Sequence, residues 1–138
     1  MRKLRPFVLF GLMLAGCVRL DNHGFLDSRL VDDIKSGKMV EIAKYTPFAW
    51  DRLYIYEPRS LRETIKQETG VSVPYPHLDG GGYCLLVFTQ QGTIAAAFEE
   101  PRGVVDFMNL YQHGGYAAAS AVFTGSIMPD GSVLLRRN

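Results

Sequence analysis

Apolar positions recur along the chain with two different periods, and the changes between them divide it into elements. Leu26, Leu30 and Ile34 recur at spacing four with Val31 beside them. With Asp27 or Ser28 in front and Gly37 behind, this predicts a helix running to about Ser36. Its Asp32-Asp33 pair falls on the polar, solvated face. "MVEIAKY" (39–45) is a short extended piece leading to Pro47. Residues 51 to 56 then alternate, Leu53 and Ile55 against Arg52, Tyr54 and Tyr56, which is a strand with one inward side. Pro58 ends it. Ser60 followed three residues later by Glu63 is a capping-box pattern, and Leu61 and Ile65 predict a second helix closed by Gly70.

The second half is punctuated by turn residues. "VSVPYPHLDGGG" (71–82) holds two Pro and three consecutive Gly and predicts a long loop. "YCLLVFTQ" and "TIAAAFEE" flank Gln91-Gly92 as a hairpin. "GVVDFMNLY" places Val104, Met108 and Tyr111 on a short helix before Gly114-Gly115. "SAVFTGSI" and "SVLLRR" form a last pair joined by "MPDG", where Pro presets φ and Asp and Gly accept the corner. The order α-β-α-β-β-(α)-β-β implies an α+β domain: a small antiparallel sheet of about five strands with two or three helices packed mainly on one face.

The N-terminal residues follow a different rule. "MRKLRP" supplies three basic residues and "FVLFGLMLAG" an apolar run of ten, the layout of a secretory signal and too short to span a bilayer. Leu14-Ala15-Gly16-Cys17 resembles the lipobox of bacterial lipoproteins, in which the Cys becomes the first mature residue and carries lipid. That resemblance implies a signal peptide over 1–16, lipidated Cys17 with a short tether to residue 25, and a single domain over 26–138. Two or three acyl chains anchor stably where one is marginal. Val18, in place of Asp, favours the outer membrane, facing the periplasm, if the cell is Gram-negative. Eight tether residues reach at most about 28 Å, so the domain works close to the membrane.

Charge and cysteine count narrow the function. Without Arg2, Lys3 and Arg5 the 15 basic residues fall to 12 against 14 acidic ones, near −2. The longest basic stretch is Arg136-Arg137, so nucleic acid is excluded as a partner. With Cys17 lipidated, Cys84 is the one remaining cysteine, and the apolar setting "YCLLVF" predicts a small core residue, an intermolecular disulfide being the alternative.

Catalytic chemistry finds little support. Cys84 lies inside a predicted strand, away from the helix N-terminus or cation that activates a thiol. His23, His77 and His113 share no metal-ligand spacing, although His77, Asp79 and His113 lie in or beside Gly-rich loops. Gly80-Gly81-Gly82 is followed by a strand and not by Lys-Ser or Lys-Thr at a helix start, so it is no phosphate loop. No Gly-x-Ser-x-Gly elbow occurs. No cofactor or metal is expected, and the candidate contact residues are Tyr54, Tyr56, His77 and Asp79, on an aromatic strand and a long loop.

Ser36-Gly37-Lys38, then Thr46, Phe48, Trp50 and Asp51, then Tyr54, Ile55, Tyr56 and Pro58, with Ile65 in the following helix, resemble a group of small bacterial lipoproteins without an established function. The match covers roughly a third of the mature chain. Arg59 departs from it, since Tyr usually follows that Pro. The resemblance implies a fold and a location but no activity. The sequence therefore points to a membrane-anchored, non-catalytic domain binding an envelope protein, in one form an inhibitor or immunity protein against a toxin. An accessory lipoprotein of an envelope assembly and an envelope hydrolase are the alternatives. Asp51 is a candidate brace for the turn into its strand, and Tyr54 and Tyr56 are either exposed or covered by a loop. Cys17→Ser is expected to leave an uncleaved precursor that takes up no labelled fatty acid; normal processing of this variant would refute the lipobox reading.

Overall fold

The computed structural model describes residues 20–21 (backbone only), 28–72 and 75–138. The signal peptide, Cys17, Leu26 and the candidate cap Asp27 lie outside the described residues, and Ser28, the other candidate cap, is the first residue of the first helix. In chain order the elements are β1 (Leu20–Asp21), α1 (Ser28–Lys35), β2 (Val40–Glu41), β3 (Arg52–Tyr56), α2 (Arg62–Thr69), β4 (Tyr83–Gln90), β5 (Thr93–Pro101), β6 (Val105–Asp106), β7 (Tyr116–Ala117), β8 (Val122–Ile127) and β9 (Val133–Arg137). Short 3-10 turns cover Ile42–Lys44 and Ala118–Ser120.

The fold is α+β, but the strands form two sheets. One is the antiparallel array β5-β4-β3-β7, extended at its β5 edge by the parallel β1; the other runs β2-β8-β9-β6. The expected single sheet of about five strands missed the second because β2 and β6, which flank β8 and β9, are two residues each. Elements that short carry no readable period.

The β4–β5 hairpin is the centre. Gln91 and Gly92 both have positive φ, 49° and 77°, which is the two-residue turn whose twist matches paired strands. Every residue from Cys84 to Thr89 is buried, because both faces of the hairpin are covered. On one face Leu53, Ile55, Cys84, Leu86, Phe88 and Phe98 join α1 through Leu30 and Ile34 and the second sheet through Phe123, Val133 and Leu135. On the other, Tyr56, Leu85, Val87 and Ala97 pack against Ile65 of α2 and against Tyr75 and Leu78 of the long loop. The helices thus cover different clusters, and the expectation of helices mainly on one face is corrected.

Two local expectations also change. Residues 104–111 are not helical: Val105 and Phe107 are both buried with Asp106 between them, a period of two, and the left-handed Asn109 (φ 64°) turns the chain. The Ser60–Glu63 capping box does not form. α2 starts one residue later, after Leu61, and Ser60 Oγ donates instead to the Glu57 carbonyl at 2.6 Å. Gly70 does end α2, in the left-handed conformation at φ 74° with its N–H on the Lys66 carbonyl.

The motif of Thr46, Phe48, Trp50 and Asp51 has a mechanical explanation. Trp50 Nε1 donates to Thr46 Oγ1 at 2.7 Å, and Phe48 packs edge-on against Phe88 at 5.2 Å. Asp51 braces a turn other than the expected one: its Oδ2 accepts from Gln91 N at the hairpin tip, 2.8 Å away.

Gly125 is where α1 crosses the second sheet. A Cβ there would lie 2.3 Å from Ile34 Cγ2 and 2.8 Å from Val133 Cγ1. Gly125→Ala is expected to overpack this crossing and cost about 1–3 kcal/mol, read as a lowered urea midpoint at unchanged m-value.

Candidate functional site

The face of the sheet that carries Tyr54 and Tyr56 holds two buried glutamates, and each of them ties down a glycine-rich loop. Glu68 projects from α2 with its side chain 6% exposed. Its Oε1 accepts from Tyr111 Oη at 3.0 Å and Gly114 N at 3.2 Å, and His113 Nδ1 lies 2.9 Å away. Its Oε2 and the Tyr56 hydroxyl are both buried without a well-formed hydrogen bond. They face each other closely, so that burial first and this carboxylate second push the Tyr56 phenol far above its ordinary range. Glu68 therefore joins α2, β3 and the 109–115 loop.

Glu99 does the same for the long loop. It is 2% exposed and accepts from the His77 backbone N at 3.0 Å, with His77 Nδ1 at 2.8 Å from Oε2. The His77 ring stacks on Tyr83 at 4.9 Å. The Glu99 carboxylate favours the His77 tautomer with its proton on Nδ1, whereas His113, 89% exposed, lies beside Glu68 at the surface. Among the described residues the ring partner given for each imidazole is a glutamate, not a hydroxyl or thiol.

The four expected contact residues separate. Tyr56 is 1% exposed, and its ring stacks at 6.4 Å with that of the half-buried Tyr54. His77 is clamped as described. Asp79 is exposed and pairs with Arg62 at 3.4 Å, a surface contact of small energetic weight; Arg62 also lies over the Tyr75 ring. His77 and His113 each have a different glutamate partner, and among the described residues no three His, Cys, Asp or Glu side chains form a metal-binding group.

A cleft that the sequence does not announce opens beside this clamp. It has a volume of about 450 Å³, and its lining includes the Tyr56 ring edge, Ser60, Leu61, Thr64, Asn109 and Tyr111. Leu61 is 72% and Tyr111 38% exposed, an uncommon exposure for large apolar groups so close together. The walls are rigid: Glu57 Oε1 accepts from Asn109 N at 2.9 Å, and Glu68 holds Tyr111 from behind. Leu61 was legible only as a helix residue, and Tyr111 fell on the helix that does not form. Glu68 and Glu99 left one signal, an acidic residue amid apolar ones on a buried strand in the case of Glu99.

The opposite face carries a different carboxyl. Glu100 is 2% exposed, lies across from Cys84 in register, and its Oε2 is buried without a partner. Burial alone pushes this carboxyl up to about 8. Cys84 is fully buried as expected, its thiol pushed up to about 12 by burial, and so is inert. Scans against family models, curated proteins and solved structures find no match to this chain.

Glu100 makes stability pH-dependent. In the unfolded chain its carboxyl ionises near 4.5, whereas the folded protein keeps the proton up to about 8. Between these values the folded state binds the extra proton, so the contribution of Glu100 is fully present below 4.5 and is lost as pH rises towards 8, by on the order of 1.4 kcal/mol per pH unit. The urea midpoint of the wild type is expected to fall across this range, and Glu100→Gln is expected to flatten it.

Proposed function

We propose that this chain is a membrane-anchored bacterial lipoprotein whose α+β domain binds an envelope protein without catalysing a reaction, as an inhibitor or immunity protein does. The observation that carries the reading is the rigid, exposed cleft of Leu61 and Tyr111. Central aromatic and aliphatic anchors with a polar rim are the usual make-up of a protein-binding hot spot. Ser60, Thr64 and Asn109 supply that rim. The buried thiol of Cys84 and the loop-holding roles of His77 and His113 support a binding role over hydrolysis. The lipobox-like Leu14-Ala15-Gly16-Cys17 supplies the anchor, and no helix among the described residues is long and apolar enough to cross a membrane.

A photoreactive residue at position 61 of the full chain tests this in cells. The expected result is one discrete adduct with an envelope protein, reduced at least about tenfold by Tyr111→Ala, the size of a hot-spot loss. Adducts confined to lipid and abundant porins would refute the reading.

A further inference from the structure

The second sheet has an edge that its neighbour leaves half covered. β6 pairs in parallel with β9 at Val105–Val133 and Asp106–Leu134 and then departs. The departure has local causes: Met108 N turns to the Asp106 carboxylate at 3.0 Å, Asn109 N turns to that of Glu57 at 2.9 Å, and the left-handed Asn109 carries the chain away. Val133 N donates to Val104 O on this side of β9. Every second residue of a strand presents its backbone to the same neighbour, so the backbone groups of Leu135 and Arg137 face the same way. At Arg137, which is exposed, β6 has already left. Its N–H and C=O have no strand beside them among the described residues.

A groove of about 410 Å³ fills the gap, lined by residues 108–110 on one wall and 134–137 on the other. Because four consecutive β9 residues contribute, it runs along the strand edge and not over one face. Met108, Leu110, Leu134 and Leu135 make it apolar, and its charged residues are Arg136 and Arg137, with no carboxylate in the lining. The adjoining acids are engaged elsewhere: Asp106 with the Arg102 guanidinium at 3.1 Å, Glu57 with Asn109 N. Arg137 reaches the Tyr111 carbonyl, a contact that leaves its charge in place. Arg136 is exposed and has no ion pair among the described residues. Asn138 turns towards the opposite edge of the sheet, its Nδ2 against Met39 Sδ just before β2.

From these observations we infer that the β9 edge is a strand-addition site for an extended acidic segment of a partner protein. A segment laid antiparallel exchanges two backbone bonds with Arg137. It also places apolar side chains against Met108 and Leu134 and carboxylates beside the two arginines. Open edges are commonly guarded by charge, and two charges of one sign guard this edge selectively. A second copy would set the same arginine pairs against each other, whereas an acidic segment is drawn in. The groove adjoins the Leu61–Tyr111 cleft at Asn109, which lines both, but the inference stands without the cleft and without the lipid anchor.

The test pans a phage library of random eight-residue peptides against the full chain in detergent micelles. Enriched peptides are then synthesised and titrated by fluorescence anisotropy. Asp and Glu alternating with apolar residues are expected to be enriched. Arg136→Glu is expected to weaken binding at least about tenfold at low salt. Arg137→Ala and Arg137→Pro remove the same side chain, but proline alone removes the N–H, so a further loss of about fivefold or more is expected between them. N-methylation of the peptide leaves the protein untouched; it is expected to abolish binding at alternate amides and to spare those between. No enriched peptide, enriched peptides without acidic residues, binding unchanged by Arg136→Glu, or N-methyl groups tolerated at every position would each overturn the inference. Peptides lost with Leu61→Ala but kept with Arg136→Glu occupy the cleft and overturn it as well.

Discussion

Burial of the β4–β5 hairpin on both faces is the constraint from which the rest of the structure follows. Six consecutive buried residues in β4, Cys84 to Thr89, demand two covers. The second sheet and α1 provide one. The other has only α2, an eight-residue helix with Ile65 and Thr69 as its buried residues. So short a helix covers only part of the sheet, and the loops must complete the layer. Loops bring polar backbone, which must be satisfied when packed on a core. Glu68 and Glu99 meet that requirement: each places a carboxylate under a loop and gathers its donors. Burying a carboxylate costs several kcal/mol unless donors surround it, and here the His77 backbone and ring meet Glu99 while Tyr111 Oη and Gly114 N meet Glu68.

Glu99 and Glu100 show how far the same residue type diverges on opposite faces of one strand. Glu99 faces the loop layer, where backbone and imidazole N–H groups come to meet it. Glu100 faces the layer between the sheets, where its neighbours are apolar and no donor reaches Oε2. The first is held by partners. The second escapes the cost of ionisation by keeping its proton.

Elements whose period extends over several turns or strand residues were legible. α1, β3, α2, the β4–β5 hairpin and the β8–β9 pair follow from apolar spacing and turn residues, and Gly70 and Gln91-Gly92 adopt the positive φ their positions require. The two-residue strands were not legible, since two residues hold no period, and they decide that there are two sheets. The false helix at 104–111 came from matching Val104, Met108 and Tyr111, all at least partly exposed, while the buried pair was Val105 and Phe107. Ser60 shows a related limit: its hydroxyl had a closer acceptor in the Glu57 carbonyl than the helix N-terminus offered. The cleft was invisible because Leu61 and Tyr111 meet only after folding, across 50 positions.

The segment with the strongest motif turns out to spend its chemistry internally. Thr46 and Trp50 bond each other, Phe48 fills space against Phe88 and Phe98, and Asp51 binds one backbone N–H through its side chain and another through its carbonyl. Thr46, Phe48, Trp50 and Asp51 are thus engaged within the fold, Asp51 tying the hairpin tip to Ala118 after β7. A joint of this kind fixes residue identities tightly, since aromatic packing and hydrogen-bond geometry must both hold, and so it leaves a strong pattern. An exposed cleft built from one leucine and one tyrosine on the far side leaves none. Pattern strength therefore reports the architecture here, and the cleft lies where the pattern is weakest.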